Sequence, residues 1–397
     1  MDIIYLDHNT TTPVLGEVAA AMAEWQTGKF GNPSSQHQMG RRARQALEHA
    51  REEIGRILGA RLSGREPDRV IFTSGGTEAN NLALLGLAGL HDPRAVPGEA
   101  IVSVIEHASI AAAVDSLERR GWTIHRLGVT RDGVVDLGPL DQWLTERTRF
   151  VSVMLANNET GVLQPVAEIA RRCAALGVPL HTDAAQVVGK LPVDFGELAV
   201  SSLSVAPHKF HGPLGIGVLI ARHALPLEPL LFGGFQQAGL RPGTESVALA
   251  VGMHAALAAW QREAAARTTR LRTLRDRLEA GLAAGYAGPV VVNGIGAERL
   301  PHTSNLALVG LERQSLLMAL DLAGVACSTG SACASGSSEP SPVLAAMGCD
   351  PSVLASSLRF SLGATTTAEE IAEAIERISS VGANIAARKP RSGSSLR

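Results

Sequence analysis

The stretch Ser204-Val205-Ala206-Pro207-His208-Lys209-Phe210-His211-Gly212-Pro213 places a lysine on a turn between two apolar segments. The apolar runs at 200–205 and 215–220 predict two buried strands on either side of it. The chain has 36 lysine and arginine residues, of which four are lysines, at positions 29, 190, 209 and 389. A desolvated lysine can lose its proton and act as a nucleophile, which an arginine cannot do. Lys209 is therefore a candidate Schiff-base lysine, although its position alone favours a packed stem with an ammonium that reaches water.

Composition limits the class of protein. A length of 397 residues predicts one large domain and a smaller one. The net charge of -2 indicates no general attraction to nucleic acid or to an anionic membrane. The four cysteines show no CxxC spacing, so we expect a reducing compartment and no metal site. The N-terminus lacks the apolar segment of a signal peptide, and the apolar run at 247–260 is shorter than the roughly 20 residues that span a bilayer. We therefore expect a cytoplasmic protein.

Short apolar strands alternate with helices along the first half of the chain. The predicted strands are 70–73, 101–105, 123–127, 150–155, 178–182 and 203–206. The predicted helices are 41–58, 109–120, 166–176 and one that follows the Gly-rich turn after the first strand and ends at 90. This alternation predicts an α/β fold with a mainly parallel sheet covered on both faces. A long helix at 246–285 leads to a C-terminal domain whose last helix begins with the capping box 367–370. The tail at 388–397 is rich in arginine, serine and glycine, and we expect it to be disordered.

Polar side chains follow the predicted strands at the edge where ligands bind in such folds. A Gly-rich turn at 74–81 precedes a helix, which suits a phosphate group. His107 ends the next strand, the segment 157–161 ends another, and Asp183 and Gln186 follow a third. Each of these residues alone is more often a turn or a cap. Together with Lys209 they form the set that a pyridine cofactor requires: a lysine for its aldehyde, a carboxylate for its ring nitrogen and a cup for its phosphate.

A small-residue loop at 327–342 contains Cys327 and Cys333. It has no apolar period, so we expect a mobile surface loop. Cys333 is then an exposed thiol suited to a nucleophile, whereas Cys327 follows apolar residues and fits a buried structural cysteine. Arg359 lies on a predicted half-buried strand, where it could hold a substrate carboxylate or make a structural ion pair. The two possibilities are about equally favoured.

The sequence resembles the cysteine desulfurases of the class V aminotransferase family. The resemblance covers nearly the whole chain and rests on motifs in the family's order: Tyr5–Pro13, Gly31–Ser34, Ser74–Asn81, Asn157–Gly161, His181–Gln186, His208-Lys209 and Arg241–Thr244. It implies a fold-type-I enzyme that depends on pyridoxal 5'-phosphate. The implied large domain is 15–256, and the implied small domain is 1–14 plus 257–387.

The resemblance also implies a role for each site residue. Lys209 would carry the cofactor and move the substrate's Cα proton, and Asp183 would pair with the ring nitrogen. His107 would stack on the ring and act as an acid or base. The remaining implied cofactor ligands are Asn158 and Gln186 at the phenolic oxygen and Gly76, Thr77, His208 and the partner subunit's Thr244 at the phosphate. Arg359 would bind the substrate carboxylate, and Cys333 would take up the sulfur of L-cysteine as a persulfide.

The implied partners are L-cysteine, a second copy of the chain in a homodimer and a sulfur-acceptor protein such as an iron–sulfur scaffold. Selenocysteine lyase and other β-lyases of the same fold share this site, and a non-catalytic sulfur-relay component is the alternative from another class. One position departs from the family. Members usually carry a serine two residues before the histidine that precedes the lysine, and this chain has Ala206 there. Ser204 lies two residues further back on the same strand face.

Overall fold

The computed structural model describes residues 2–89, 96–330 and 340–388. The strands are β1 (Ile4–Tyr5), β2 (Arg69–Thr73), β3 (Glu99–Ser103), β4 (Thr123–Leu127), β5 (Thr148–Ser152), β6 (Leu180–Asp183), β7 (Ser202–Val205), β8 (Gly217–Ala221), β9 (Val290–Val292), β10 (Thr303–Leu308), β11 (Val325–Ala326) and β12 (Ser357–Ser361). The α-helices are α1 (Gly16–Ala23), α2 (Gln38–Ile57), α3 (Gly76–Ala88), α4 (Ala108–Glu118), α5 (Leu140–Trp143), α6 (Val166–Ala175), α7 (Phe195–Leu198), α8 (Val247–Gly285), α9 (Arg313–Leu322), α10 (Pro342–Ala346), α11 (Pro351–Leu354) and α12 (Ala368–Arg388).

The large sheet has seven strands in the order β2-β8-β7-β6-β5-β3-β4. The pairs from β7 to β4 are parallel, whereas β8 runs antiparallel to both of its neighbours. The predicted mainly parallel α/β sheet is therefore confirmed. Lys209 lies in the turn between β7 and the antiparallel β8, as the two apolar runs predicted. The carboxyl ends of β3, β5, β6 and β7 meet at the same edge, which is where the polar residues follow the strands.

A second, smaller region contains the antiparallel sheet β12-β10-β9 and the parallel pair β1-β11. Its core joins the N-terminal Ile4 and Leu6 to the apolar face of the second half of α8, including Leu271 and Leu278. The smaller α+β region is thus confirmed, while the domain boundaries at 14/15 and 256/257 stay a prediction. Within the described ranges, no helix is long and apolar enough to cross a membrane.

Helix and strand ends differ from the predictions by a few residues. The chain leaves the sheet early, so β3 ends at Ser103 and β5 ends at Ser152, although the apolar residues 153–155 that follow β5 are also buried. Their side chains pack in the core from a loop, and burial alone does not distinguish such a loop from a strand. Helix α3 ends at Ala88 because Gly89 adopts φ 62°, a left-handed C-cap; the predicted end at Leu90 lies outside the described residues.

The C-terminal helix begins as predicted. The Thr367 amide donates to Glu370 Oε2 at 2.8 Å, and the Glu370 amide donates to Thr367 Oγ1 at 3.1 Å, which is a capping box. Helix α12 continues to Arg388, so the predicted disordered tail loses its first residue to the helix, and 389–397 lie outside the described residues.

Candidate active site

A cavity of about 710 Å³ opens at the carboxyl edge of the large sheet. Nine of the predicted site residues line it: Gly76, Thr77, His107, Asn158, Asp183, Gln186, His208, Lys209 and Arg359. The exposed Thr244 is not among the lining residues, and Cys333 lies outside the described residues. The fold therefore brings together predicted site residues that are up to 283 positions apart in the chain, from Gly76 to Arg359.

Lys209 ends a 3-10 turn that begins at Pro207. Its Nζ donates to the backbone oxygens of Asn9 at 2.6 Å and Thr10 at 2.8 Å. Asn9 is fixed in turn, because its Nδ2 donates to Thr303 Oγ1 at 2.9 Å and its Oδ1 lies 2.8 Å from His302 Nε2. Sequence reasoning assigned no role to Asn9. The sequence feature that could have identified Asn9 is its position inside the first family motif, Tyr5–Pro13, whose backbone contacts the lysine turn.

Asp183 ends β6, and both of its carboxylate oxygens are held. Oδ2 accepts from Asn80 Nδ2 at 2.7 Å, and Oδ1 accepts from the Ala185 amide at 2.9 Å. Asn80 Oδ1 lies 3.1 Å from His181 Nε2, and burial lowers the pKa of His181 to about 4. A neutral His181 can donate to Asn80, which then presents its N–H to Asp183. Asn80 was also missed; its signal is its position one turn into α3, on the buried face.

The N-terminus of α3 places Gly76 and the exposed Thr77 at one end of the cavity. β8 approaches closely from behind, because a Cβ on Gly217 would lie 2.4 Å from the Gly75 carbonyl carbon. His208 completes this end, and burial, followed by the charges of Lys209 and Lys190, lowers the pKa of its imidazole to about 4. A helix N-terminus with exposed backbone N–H groups suits a phosphate.

Ala206 lines the same end of the cavity and is 2% exposed. A Cβ on Gly76 would lie 3.3 Å from the Ala206 Cβ, so the two residues are in close contact. Ser204 does not supply the missing hydroxyl. It is fully buried, and its Oγ lies 3.5 Å from His181 Nε2, on the side of Asp183.

His107 is the N-cap of α4. Its Nδ1 accepts from the Ser109 amide at 3.1 Å and lies 2.8 Å from Ser109 Oγ, which fixes the plane of the imidazole at the cavity wall. The preceding Glu106 also lines the cavity, and its Oε1 accepts from the Met154 amide at 2.7 Å. Burial raises the pKa of Glu106 well above its usual value, and the negative charge of Asp183 raises it further. Glu106 was not predicted as a site residue.

Gln186 lies beyond the end of β6 and donates from Nε2 to the Asn9 oxygen at 3.1 Å. Its Oε1 is buried and has no hydrogen-bond partner within the described part of the chain. Asn158 is also bonded to Asn9, because its backbone oxygen accepts from Asn9 Nδ2 at 3.2 Å. Asn9 therefore connects the segments that carry Lys209, Gln186 and Asn158.

Arg359 differs from its prediction, because β12 is buried along its whole length rather than half-buried. The side chain makes the structural ion pair that was one of two possibilities: Nη2 lies 2.8 Å from Asp7 Oδ1. Nη2 also donates to Thr10 Oγ1 at 2.8 Å, and Nη1 donates to the Asn158 oxygen at 3.0 Å. These three bonds use three of the five guanidinium N–H groups, so two donors remain on a side chain that lines the cavity.

The buried amine of Lys190 was not predicted from the sequence. It is 6% exposed, and no described residue provides a hydrogen-bond partner for its Nζ. Burial lowers its pKa well below the usual value, and the positive charge of Lys209 lowers it further. An amine whose charged form is disfavoured by burial therefore lies close enough to Lys209 to feel its charge.

The two ends of the cysteine loop are hydrogen-bonded or buried, whereas 331–339 lie outside the described residues, so the mobility of the loop stays a prediction. Ser328 and Arg359 exchange backbone hydrogen bonds of 3.1 and 2.6 Å, and Ser341 is 1% exposed. The composition of the loop did not indicate that its first residues pair with β12. Cys327 packs against the core of the small region, and burial raises the pKa of its thiol, as expected for a structural cysteine.

The arrangement can bind a phosphorylated aromatic ring. It offers a helix N-terminus, a fixed carboxylate, a lysine and an unpaired amide oxygen around one cavity. No group of three or more His, Cys, Asp or Glu side chains suited to a metal ion occurs in the described ranges.

Comparison with known proteins agrees with this geometry. Residues 4–373 match the family described as Aminotransferase class-V. The chain belongs to this family. It is 39% identical to the cysteine desulfurase NifS of Azotobacter vinelandii over 96% of this chain and 93% of that protein. It is 40% identical to the cysteine desulfurase IscS of Dictyoglomus turgidum, covering 94% of each chain.

A solved structure titled NIFS-LIKE PROTEIN superimposes with a TM-score of 0.87 at 31% identity, covering 97% of this chain and 100% of that chain. The predictions of a class V aminotransferase fold and of an enzyme of the cysteine desulfurase group are therefore confirmed. The roles of the individual site residues stay predictions.

Proposed function

We propose that this enzyme binds pyridoxal 5'-phosphate at Lys209 and converts L-cysteine to L-alanine, with transfer of the sulfur to Cys333 as a persulfide. The observation that carries the proposal is the convergence of Lys209, Asp183 and Arg359 on one cavity. Two relatives that are called cysteine desulfurases, at about 40% identity, favour this reaction over selenocysteine lyase and over a non-catalytic relay protein.

The residues around the cavity fit the cofactor. Asp183 is held by two donors, so it can face a protonated ring nitrogen with its charge. The buried, unpaired Oε1 of Gln186 belongs to an amide that can turn its N–H groups toward a phenolic oxygen. Gly76, Thr77 and His208 would hold the phosphate, His107 would cover the ring, and Asn158 would contact the phenolic oxygen. When bound, pyridoxal phosphate supplies an electron sink for the carbon next to the substrate's amino group.

Three residues of the chain would bind the substrate and transfer its protons. Arg359 would bind the substrate carboxylate with the donors that Asp7, Thr10 and Asn158 leave unused. Lys209, held by the Asn9 and Thr10 oxygens, would move a proton at the substrate's Cα. His107 would be the acid or base partner of the substrate thiol. Its Nδ1 accepts from the Ser109 amide, so the neutral ring carries its proton on Nε2, from where it can be donated to the substrate sulfur.

The sulfur would be transferred from the substrate to Cys333 by nucleophilic attack. The Cys333 thiolate attacks the substrate sulfur, a new S–S bond forms and the substrate's Cβ–S bond breaks. The carbon skeleton keeps that electron pair, takes up protons and leaves as alanine, while Cys333 keeps the sulfur as a persulfide. Chain connectivity supports this role, because three residues span at most about 11 Å. Cys333 is thus tethered within that distance of Gly330, which lines the cavity.

The proposal includes a homodimer and a sulfur-acceptor protein, such as an iron–sulfur scaffold, in the cytoplasm. Thr244 is exposed on its own subunit and does not line that subunit's cavity, so it is available to the phosphate of the partner subunit. The nearby segment also exposes Phe232 at 74% and Phe235 at 93%, apolar surface of the kind that an interface covers.

The test begins with cofactor attachment. Borohydride reduction of the purified enzyme should fix pyridoxal phosphate to the peptide that contains Lys209. Lys209→Ala should lose this label and single-turnover alanine release from L-cysteine, whereas Lys29→Ala, an exposed lysine, should keep both. Labelling of another lysine, or alanine release by Lys209→Ala at the wild-type rate, would contradict the proposal.

A further inference from the structure

Glu159 is a buried carboxyl group that the proposed chemistry does not use. It lies between β5 and α6, is 3% exposed and lines the cavity. Its backbone is fixed, because Asn157 Oδ1 accepts from the Glu159 amide at 2.9 Å and from the Thr160 amide at 3.0 Å. A carboxyl group held so rigidly in the interior needs partners for its oxygens.

One partner is Ser341, on the C-terminal side of the segment 331–339. The Ser341 hydroxyl donates to Glu159 Oε2 at 2.6 Å and accepts from the Leu344 amide at 3.1 Å. The same hydroxyl therefore caps α10 and binds Glu159. Because Ser341 is 1% exposed, this bond is shielded from water and is stronger than a surface bond.

The other contact is Gly330, on the N-terminal side of the same segment. A Cβ on Gly330 would lie 2.8 Å from Glu159 Oε2, and Gly330 adopts φ 92°, so a larger residue would be strained and too close. The Gly330 amide donates to Ser328 Oγ at 3.1 Å, which connects this end to the pairing with β12. Both ends of the segment that contains Cys333 thus meet at one carboxylate oxygen.

Two arginines, Arg359 and Arg313, act on the carboxyl group of Glu159 with their charges. Burial raises the pKa of the carboxyl group, and the Ser341 hydroxyl, Arg359 and Arg313 act in the opposite direction. Arg359 is the residue proposed to bind the substrate carboxylate. Glu159 therefore contacts the C-terminal end of the cysteine segment and also lies close enough to Arg359 to feel its charge.

The geometry points to Glu159 as a positioning residue for sulfur transfer, which holds Gly330 and Ser341 together at the cavity so that Cys333 is tethered close to the substrate sulfur. This inference rests on the proposed function. Since Cys333 is three residues from Gly330, a shift of that anchor moves the start of its tether directly. Misplacement of a reacting group by about 1 Å can cost on the order of 100-fold in rate.

The experiment uses the holoenzyme and separates two steps. The absorbance change of the bound cofactor on mixing with L-cysteine reports substrate binding, and single-turnover persulfide formation reports sulfur transfer. Glu159→Ala and Ser341→Ala should keep the first within about twofold and slow the second by about 10- to 100-fold. The double variant should be no slower than the slower single variant, because both changes remove one bond. Glu159→Gln keeps an acceptor for Ser341 and should restore most of the persulfide rate.

The matched control is Ser304→Ala. It removes a partly buried serine–glutamate bond, in which Ser304 donates to Glu279 Oε1 at 2.7 Å, and neither residue lines the cavity. This variant should form persulfide at the wild-type rate. Wild-type persulfide rates in Ser341→Ala, equal loss of both steps, or a Glu159→Gln variant as slow as Glu159→Ala would each overturn the inference. Failure of the wild type to form persulfide at all would instead refute the proposed function.

Discussion

The ion pair between Asp7 and Arg359 gives a quantitative prediction. Asp7→Ala removes the carboxylate whose Oδ1 lies 2.8 Å from Arg359 Nη2. Arg359 is 1% exposed, so its positive charge would stay in the interior with only Thr10 Oγ1 and the Asn158 oxygen as acceptors. The guanidinium would then lose its only hydrogen-bonded carboxylate in the described part of the chain and keep two neutral acceptors.

The expected cost follows from this burial. Removal of one member of a buried ion pair typically destabilises a protein by about 3–5 kcal/mol, because the remaining charge is left uncompensated. For domains of 150–250 residues, each kcal/mol lowers the Tm by roughly 2–4 °C, so a loss of at least about 6 °C is expected. Asp7→Asn keeps an acceptor and loses only the charge, so it should cost about half as much.

The assay is thermal unfolding followed by circular dichroism at neutral pH and constant salt. The control is Glu17→Ala, which breaks the pair between Glu17 and Arg262 at a similar distance of 2.7 Å, with the two side chains 53% and 58% exposed. Exposed pairs contribute about 0–1 kcal/mol, so this variant should unfold close to the wild type. If Asp7→Ala also unfolds within 1–2 °C of the wild type, roughly the shift of an exposed pair, the argument from burial is refuted.

Three further predictions concern the cavity and its surroundings. Ala206→Ser should lower the Kd for pyridoxal phosphate by about tenfold or more, because a hydrogen bond to a charged group contributes roughly 1.5–3 kcal/mol; equal cofactor release rates in the variant and the wild type would contradict this. Gly217→Ala should lower both the Tm and cofactor content, since its Cβ would lie 2.4 Å from the Gly75 backbone, and an unchanged Tm would show that β8 and the turn before α3 can move apart without cost. Stability should fall as the pH falls from about 6.5 towards 4, because burial lowers the pKa of His181 and His208 to about 4 and the unfolded chain therefore binds more protons in that window; a Tm that is constant between pH 7 and 5 would refute it.

The sequence predicted the sheet and most of its edge residues because both depend on local signals. Apolar runs gave the strands, and each polar residue such as Asp183 follows its strand directly in the chain. The parallel arrangement then brings those positions together without further information. The capping box of α12 is equally local, so it was also predicted.

The features of the site that the sequence did not predict depend on contacts between segments that are distant in the chain. Asn9 holds Lys209 from 200 positions away, and Asp7 pairs with Arg359 across 352 positions. The pairing of Ser328 with β12 fixes the start of a loop whose composition indicated mobility. Composition and periodicity do not identify such partners, so the ion-pair partner of Arg359 and the burial of Glu159 and Lys190 could be recognised only from the fold.

The central claim is that Cys333 accepts sulfur at the cavity. Its most direct test is mass spectrometry of the Cys333 peptide after a single turnover with L-cysteine, with Cys333→Ala and Cys327→Ala measured in parallel. We expect one added sulfur atom on Cys333 in the wild type and in Cys327→Ala. We also expect Cys333→Ala to keep the cofactor absorbance but to form neither protein-bound persulfide nor alanine. Alanine release by Cys333→Ala at the wild-type rate, or the added sulfur on another cysteine, would contradict the account.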